Sequence, residues 1–197
     1  MSVFYFVDVE TSGLSPTRNT ILEFCCIKHV DRKEVDRLYM KIHPTDQDML
    51  FADAKALEIS SYSKAKWEEA LLPGEAARRI SSFVYGTKES AFIAHNAKFD
   101  FAFVREFLKR HGAKNNLPYR VIDTVSIAFA ALQPLGLKTM KLDEIRKFLG
   151  WSLENNHTAM KDCEDLVALY DLLSPIPHGS NSVIINQIIV NKTILSR

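Results

Sequence analysis

The chain has 197 residues, 47% of them apolar and 25% charged, the proportions of a globular domain long enough to bury one substantial core. Its 25 Lys and Arg against 24 Asp and Glu leave a formal charge of +1. That balance excludes a whole-molecule field drawing in a polyanion, so any nucleic-acid contact must come from local basic patches or bound cations.

Residues 3 to 9, VFYFVDV, are apolar on both faces and predict a central strand. The chain turns in TSGLSPTRN, and residues 20 to 30 predict a second strand. DRKE then reads as a hairpin into a third, at about 34 to 43. Residues 48 to 84 carry helical periodicity, expected to break near Pro73-Gly74. AFIAH predicts a fourth strand, residues 97 to 110 a helix ending near Gly112, and YRVID a short fifth strand. Further helices are expected at about 124 to 132, 141 to 149 and 158 to 173. The expected class is α/β: a mixed five-stranded central sheet flanked by helices. From Ser174 the linker-like SPIPHGSNS precedes the β-branched stretch VIINQIIVNKTIL.

Cys25, Cys26 and Cys163 have no CxxC spacing and read as reduced structural thiols, the first two alternating across a strand. The N-terminus lacks the basic region of a signal peptide. No run approaches the ~18 to 20 apolar residues of a membrane span. A cytoplasmic protein without membrane contact is the expectation.

Acids stand where apolar residues should be. Asp8 and Glu10 share a face of the first strand, about 6.6 Å apart at their roots. They are either salt-bridged at an exposed strand end or part of a ligand site. On the helix at 97 to 110, Asp100 falls in the middle of the stripe formed by Phe99, Phe103, Val104 and Phe107. On the last helix Asp162 shares a face with Leu166, Leu169 and Leu173, while Glu164, Asp165 and Asp171 point elsewhere. Inward-facing carboxylates repel and take up protons unless a cation holds them. Hard divalent ions, Mg²⁺ or Mn²⁺, meet that need better than zinc, because no Cys or His cluster accompanies the acids. His157, in the loop before Asp162, is either surface decoration or a general base beside the metal-binding acid.

Together these residues resemble the DnaQ-like exonucleases of the subgroup with four acids and a histidine. The first motif of that family appears as DVETSGL (residues 8 to 14, with Ser12 in place of Thr), the second as HNAKFD (95 to 100) and the third as HTAMKD (157 to 162). The resemblance covers about residues 3 to 173. It implies a ribonuclease H-like fold and 3′→5′ hydrolysis of nucleic acid to nucleoside 5′-monophosphates. It further implies that Asp8, Glu10, Asp100 and Asp162 hold two Mg²⁺ ions, with Mn²⁺ able to substitute, and that His157 takes the proton from the attacking water. By the same resemblance Thr11, with the backbone near Val9, would hold the terminal nucleotide and Leu14 would wedge against its base. His95, Asn96 and Phe99 would line that pocket, with core packing the alternative for Leu14 and Phe99 and helix capping for Asn96.

The division expected is an exonuclease domain at 1–173 and a tail at 174–197, the tail being an edge strand of this domain or a partner-binding segment. The substrate expected is the single-stranded or frayed 3′ end of DNA, with RNA ends as the near alternative. A non-catalytic subunit holding a polymerase, clamp or second copy through the tail is the reading from another class. Basic residues at 105 to 120 (Arg105, Lys109, Arg110, Lys114, Arg120) and 138 to 147 (Lys138, Lys141, Arg146, Lys147) read as solvated helix faces, either of which could hold the phosphates of an entering strand.

Overall fold

The computed structural model describes residues 1–154 and 158–174. The expectations placed on His157 and on the tail beyond Ser174 lie outside the described residues. The sheet has the order β3-β2-β1-β4-β5, with β1 (Val3–Thr11), β2 (Ile21–Val30), β3 (Lys33–Lys41), β4 (Ser90–Ala94) and β5 (Arg120–Asp123). β1 to β3 form an antiparallel meander, and β4 and β5 continue parallel from the other edge of β1. This is the mixed five-stranded sheet expected. β1 lies at its centre, where antiparallel pairing gives way to parallel, and ligand sites of open α/β sheets gather at such switch points.

The helices run α1 (Asp46–Met49), α2 (Ala54–Ile59), α3 (Pro73–Phe83), α4 (Ala97–Arg110), α5 (Thr124–Leu132), α6 (Leu142–Leu149) and α7 (Ala159–Leu173). The helical stretch expected at 48 to 84 is instead α1, α2, a 3₁₀ turn at Ala65–Trp67 and α3. Pro73 begins a helix rather than breaking one: it occupies the first turn after the extended Leu72, where its missing N–H costs nothing.

Alternation along the strands makes two cores. Tyr5, Val7, Val9, Phe24 and Cys26 pack with α3 and α4 on one face. Phe6, Cys25 and Ile27 pack with Ala159, Cys163 and Leu166 of α7 on the other. Cys25 and Cys26 therefore alternate across β2 as expected, free and buried. A third cluster joins α5, α6 and α7 through Ala128, Ile145 and Leu169. Among the described residues no helix is long and apolar enough to cross a membrane.

Trp67 fastens the 3₁₀ turn to the sheet. It is fully buried, its indole N–H donates to the Leu22 carbonyl at 3.1 Å, and the Lys41 ammonium lies 4.3 Å from its ring centroid. Trp67→Ala is expected to lower the free energy of unfolding by about 3–5 kcal/mol. Denaturant titration checks this, and an unchanged midpoint would contradict the role given to the ring.

Candidate active site

Three carboxylates converge on the α7 side of the sheet. Asp8 and Glu10 follow Phe6 on the same face of β1, and Asp162 stands in the first turn of α7. One ligand oxygen from each lies within 4.8 Å of the others, and all three residues are half-buried. The pairing register of β1 shifts between Glu10 and Thr11, ending the regular ladder at the acids, as bulges beside active sites commonly do. Asp100 comes from α4, on the opposite face. It is 3% exposed, and its Oδ1 accepts the Val9 N–H at 3.2 Å. Asp100 therefore approaches the end of β1 from the other side and is not one of the three converging acids.

Like charges in a desolvated place raise one another's proton affinity. Burial is the first cause raising Asp8, and the charges of Asp100, Asp162 and Glu10 follow. Burial, then Asp162 and Glu23, push Glu10 up to about 8. Asp100 is raised by burial against the opposing pull of backbone N–H donors, that of Val9 among them. The converging set is all carboxylate oxygen, the donor chemistry of a hard divalent cation, and a cation is what would let these acids ionise together.

The first-motif loop closes on itself. Ser12, standing where the family motif has Thr, donates its N–H to the Thr20 carbonyl at 2.9 Å, and its Oγ accepts the Thr20 N–H at 3.0 Å. A Cβ at Gly13 would lie 2.6 Å from the Asn19 side chain, so only glycine fits there. Thr11 is buried, with its hydroxyl donating to the Gly13 carbonyl at 2.7 Å. Leu14 is 85% exposed, which removes core packing as its explanation. Phe99 is half-buried and packs at 4.7 Å between ring centroids against Phe103.

His95 and Asn96 line a cavity of about 580 Å³ beside Asp8 and Asp162, walled opposite by Met140 and Lys141. The His95 Nε2 lies 2.6 Å from the Met140 carbonyl. A carbonyl only accepts, so that nitrogen carries a proton. Its Nδ1 lies 3.0 Å from the Thr124 hydroxyl. Asn96 is left-handed at φ 69°, and its side chain makes no capping bond. Its N–H donates instead to Asp123 at 3.0 Å, so capping does not explain it. Strained positions of this kind collect at ligand sites. Val9, Thr11, Leu14 and Phe99 are not among the residues lining this cavity.

Two residues at this site were not anticipated as parts of it. Glu23 is buried on β2 opposite Glu10, and its Oε2 accepts the Ala159 N–H at 3.3 Å, holding the first turn of α7. Burial raises it, opposed by Ala159, Lys41 and the Tyr39 hydroxyl. Its signal was a carboxylate inside the apolar run ILEFCCI. Arg146 corrects the expectation of a solvated basic face at 138 to 147. Its side chain is 0% exposed and ion-paired to Asp143, Asp162 and Asp165. Only its neighbour Lys147, 55% exposed, fits that description among the two. Its signal was the i, i+4, i+7 stripe of Leu142, Arg146 and Leu149.

Residues 5–170 match the exonuclease family model RNase_T. Among curated proteins, the DNA polymerase III PolC-type of Clostridium perfringens is 32% identical over 157 residues, covering 80% of this chain and 10% of that protein. The Ribonuclease T of Buchnera aphidicola subsp. Schizaphis graminum is 28% identical over 170 residues, covering 79% of this chain and 75% of that protein. The chain thus spans about a tenth of the PolC-type relatives it matches. Among solved structures, E. coli exonuclease I in complex with a dT13 oligonucleotide superposes with a TM-score of 0.74 at 21% identity, over 87% of this chain and 41% of that one. The chain belongs to the exonuclease family, DnaQ-like members of the ribonuclease H-like superfamily.

Proposed function

We propose that this chain is a metal-dependent 3′→5′ exonuclease that removes nucleotides from the 3′ ends of DNA. The observation that carries the reading is the convergence of Asp8, Glu10 and Asp162 within 4.8 Å at the central strand of an exonuclease-family fold. Asp8, Glu10, Asp100 and Asp162 would hold two Mg²⁺ ions, with Mn²⁺ able to substitute. Such ions supply Lewis acidity and neutralise charge at the phosphate. His157 takes the proton of the attacking water. As the water oxygen bonds to phosphorus, the bond from phosphorus to the 3′ oxygen of the preceding nucleotide breaks, releasing a nucleoside 5′-monophosphate. Leu14 would wedge against a base, a role its exposure supports. His95 and Asn96 would line the cavity that takes the terminal nucleotide, while Thr11, the backbone near Val9 and Phe99 would contact that nucleotide from outside this cavity.

DNA is favoured because the PolC-type relatives are DNA polymerases by name and the exonuclease I structure holds a DNA oligonucleotide. RNA is the second reading, because a relative matched over 75% of its own length is a Ribonuclease T. The segment from Ser174 onward is read as an appendage to the exonuclease domain, a self-packing edge strand or a contact for a polymerase.

Incubation with 5′-labelled single-stranded DNA and RNA is expected to give a ladder shortening from the 3′ end of the DNA. EDTA and Asp8→Ala should abolish it; an undigested DNA strand beside a digested RNA strand would overturn the substrate choice. His157→Ala is expected to lower kcat about 10²- to 10⁴-fold, the usual worth of a positioned base. A rate within a few-fold of wild type would remove that role.

The raised acids also predict how stability follows pH. Glu10, at about 8 when folded, binds a proton more tightly in the folded chain than in the unfolded one. Asp8 and Asp100 shift in the same direction. Without divalent ions, their contribution is therefore present at low pH and lost as pH rises from about 5 towards 8. Added Mg²⁺ should raise the melting temperature more at the upper end of that window. Thermal scans in EDTA and in Mg²⁺ across the window check the sign, and a Mg²⁺ effect that shrinks as pH rises would contradict it.

A further inference from the structure

We propose that Arg146 is a positioning residue for Asp162: it fixes one oxygen of that carboxylate and so determines which oxygen faces Asp8 and Glu10. The proposal rests on the divalent-ion reading above and extends it to a residue outside the three motifs. Its basis is a division of labour among the guanidinium nitrogens. Nη2 donates to Asp162 Oδ1 at 2.6 Å, Nε to Asp165 Oδ2 at 2.7 Å and Nη1 to Asp143 Oδ1 at 2.8 Å. Two of the three partners stand outside the converging acids, so the arginine does not depend on Asp162 for its own place.

Asp165 is itself held a second time, by the Lys161 ammonium at 2.5 Å from its other oxygen. The chain therefore spends two carboxylates and a lysine on fixing one fully buried arginine. A buried guanidinium is costly unless it is completely paired, and pairing it for packing alone needs no contact with the acid cluster. Here the third nitrogen of a rigid, planar fork is aimed at the one of the three converging acids that comes from a helix rather than from the sheet. That acid also faces the repulsion of Asp8 and Glu10, which are within 4.8 Å. Repulsion of that kind turns a free carboxylate away, and Arg146 opposes the turn by fixing Oδ1.

Among the described residues, the first turn of α7 is consequently held from both the sheet and α6. Glu23 takes the Ala159 N–H from the side of β2, and Arg146 takes the Asp162 carboxylate from the side of α6. Partners that orient a metal ligand without touching the metal commonly change affinity or activity about 10- to 100-fold when altered. A lysine keeps the charge at Arg146 but cannot span three carboxylates at once.

The test is Mn²⁺ binding to the full chain without nucleic acid, by titration calorimetry, for wild type, Arg146→Lys and Asp165→Asn, below the melting temperature of each. Arg146→Lys is expected to bind Mn²⁺ about 10- to 100-fold more weakly. Its kcat should fall with little change in KM for DNA, and excess Mn²⁺ should restore part of the rate. Asp165→Asn, which loosens one anchor of the arginine, should show a smaller loss in the same direction. If Arg146→Lys does not fold, Asp165→Asn decides alone. Folded variants with wild-type Mn²⁺ affinity and rate would overturn the proposal and leave the divalent-ion reading intact. A wild-type chain that binds no Mn²⁺ would overturn both.

Discussion

Carboxylates removed from water beside one another are the constraint around which this domain is arranged. Asp8 and Glu10 occupy a strand whose preceding residues on the same face are Phe6, in the core, and Phe4, packed against it, and α7 brings Asp162 down onto them. Each acid alone would be an ordinary strand-end or helix-start residue. Together their repulsion makes the folded chain a binder of positive charge, taken up as protons, as an ion, or in part from Arg146. The meander, the parallel crossover and α7 serve to hold these groups close despite that repulsion.

The acids were legible in the sequence because each interrupts an apolar face: Asp100 the stripe of α4, Asp162 that of α7, Asp8 and Glu10 one side of β1. Those patterns are local, and local patterns survive reading in one dimension. The bounds of α4 were read correctly for the same reason. Glu23 and Arg146 were missed because their roles are non-local. Glu23 matters through a helix that follows it by 136 residues, and Arg146 looked solvated among the cations beside it. What hides Arg146 is the packing of α6 on α7, which a count of charges along the chain does not register. The region from 48 to 84 is divided for a related reason: Ala, Glu and Lys favour helix everywhere along it, whereas the cap at Asp53 and the extended Leu72 before Pro73 break it into separate helices.

Two backbone conformations carry as much of the site as any side chain. Gly13 is required because Asn19 lies where its Cβ would be, and this lets the first-motif loop fold tightly and leave Leu14 at its tip. Asn96 bends into α4 through a left-handed conformation held by Asp123. The second motif therefore sets the bend between β4 and α4 as well as supplying contacting groups. His95 meets the loop at Met140 and ties that bend to the far wall of the cavity.

The sulfurs beneath the acids have a directional effect. Cys25 is the cross-strand neighbour of Asp8, and the Cys163 thiol donates to the Phe6 carbonyl at 3.0 Å, with Phe6 and Ile27 packed around them. Thiols and hydrocarbon make a dry floor that offers no countercharge from below. Compensating charge for the acids is therefore offered from the cavity side, where Arg146 lies beside Asp8 and Asp162, rather than through the sheet.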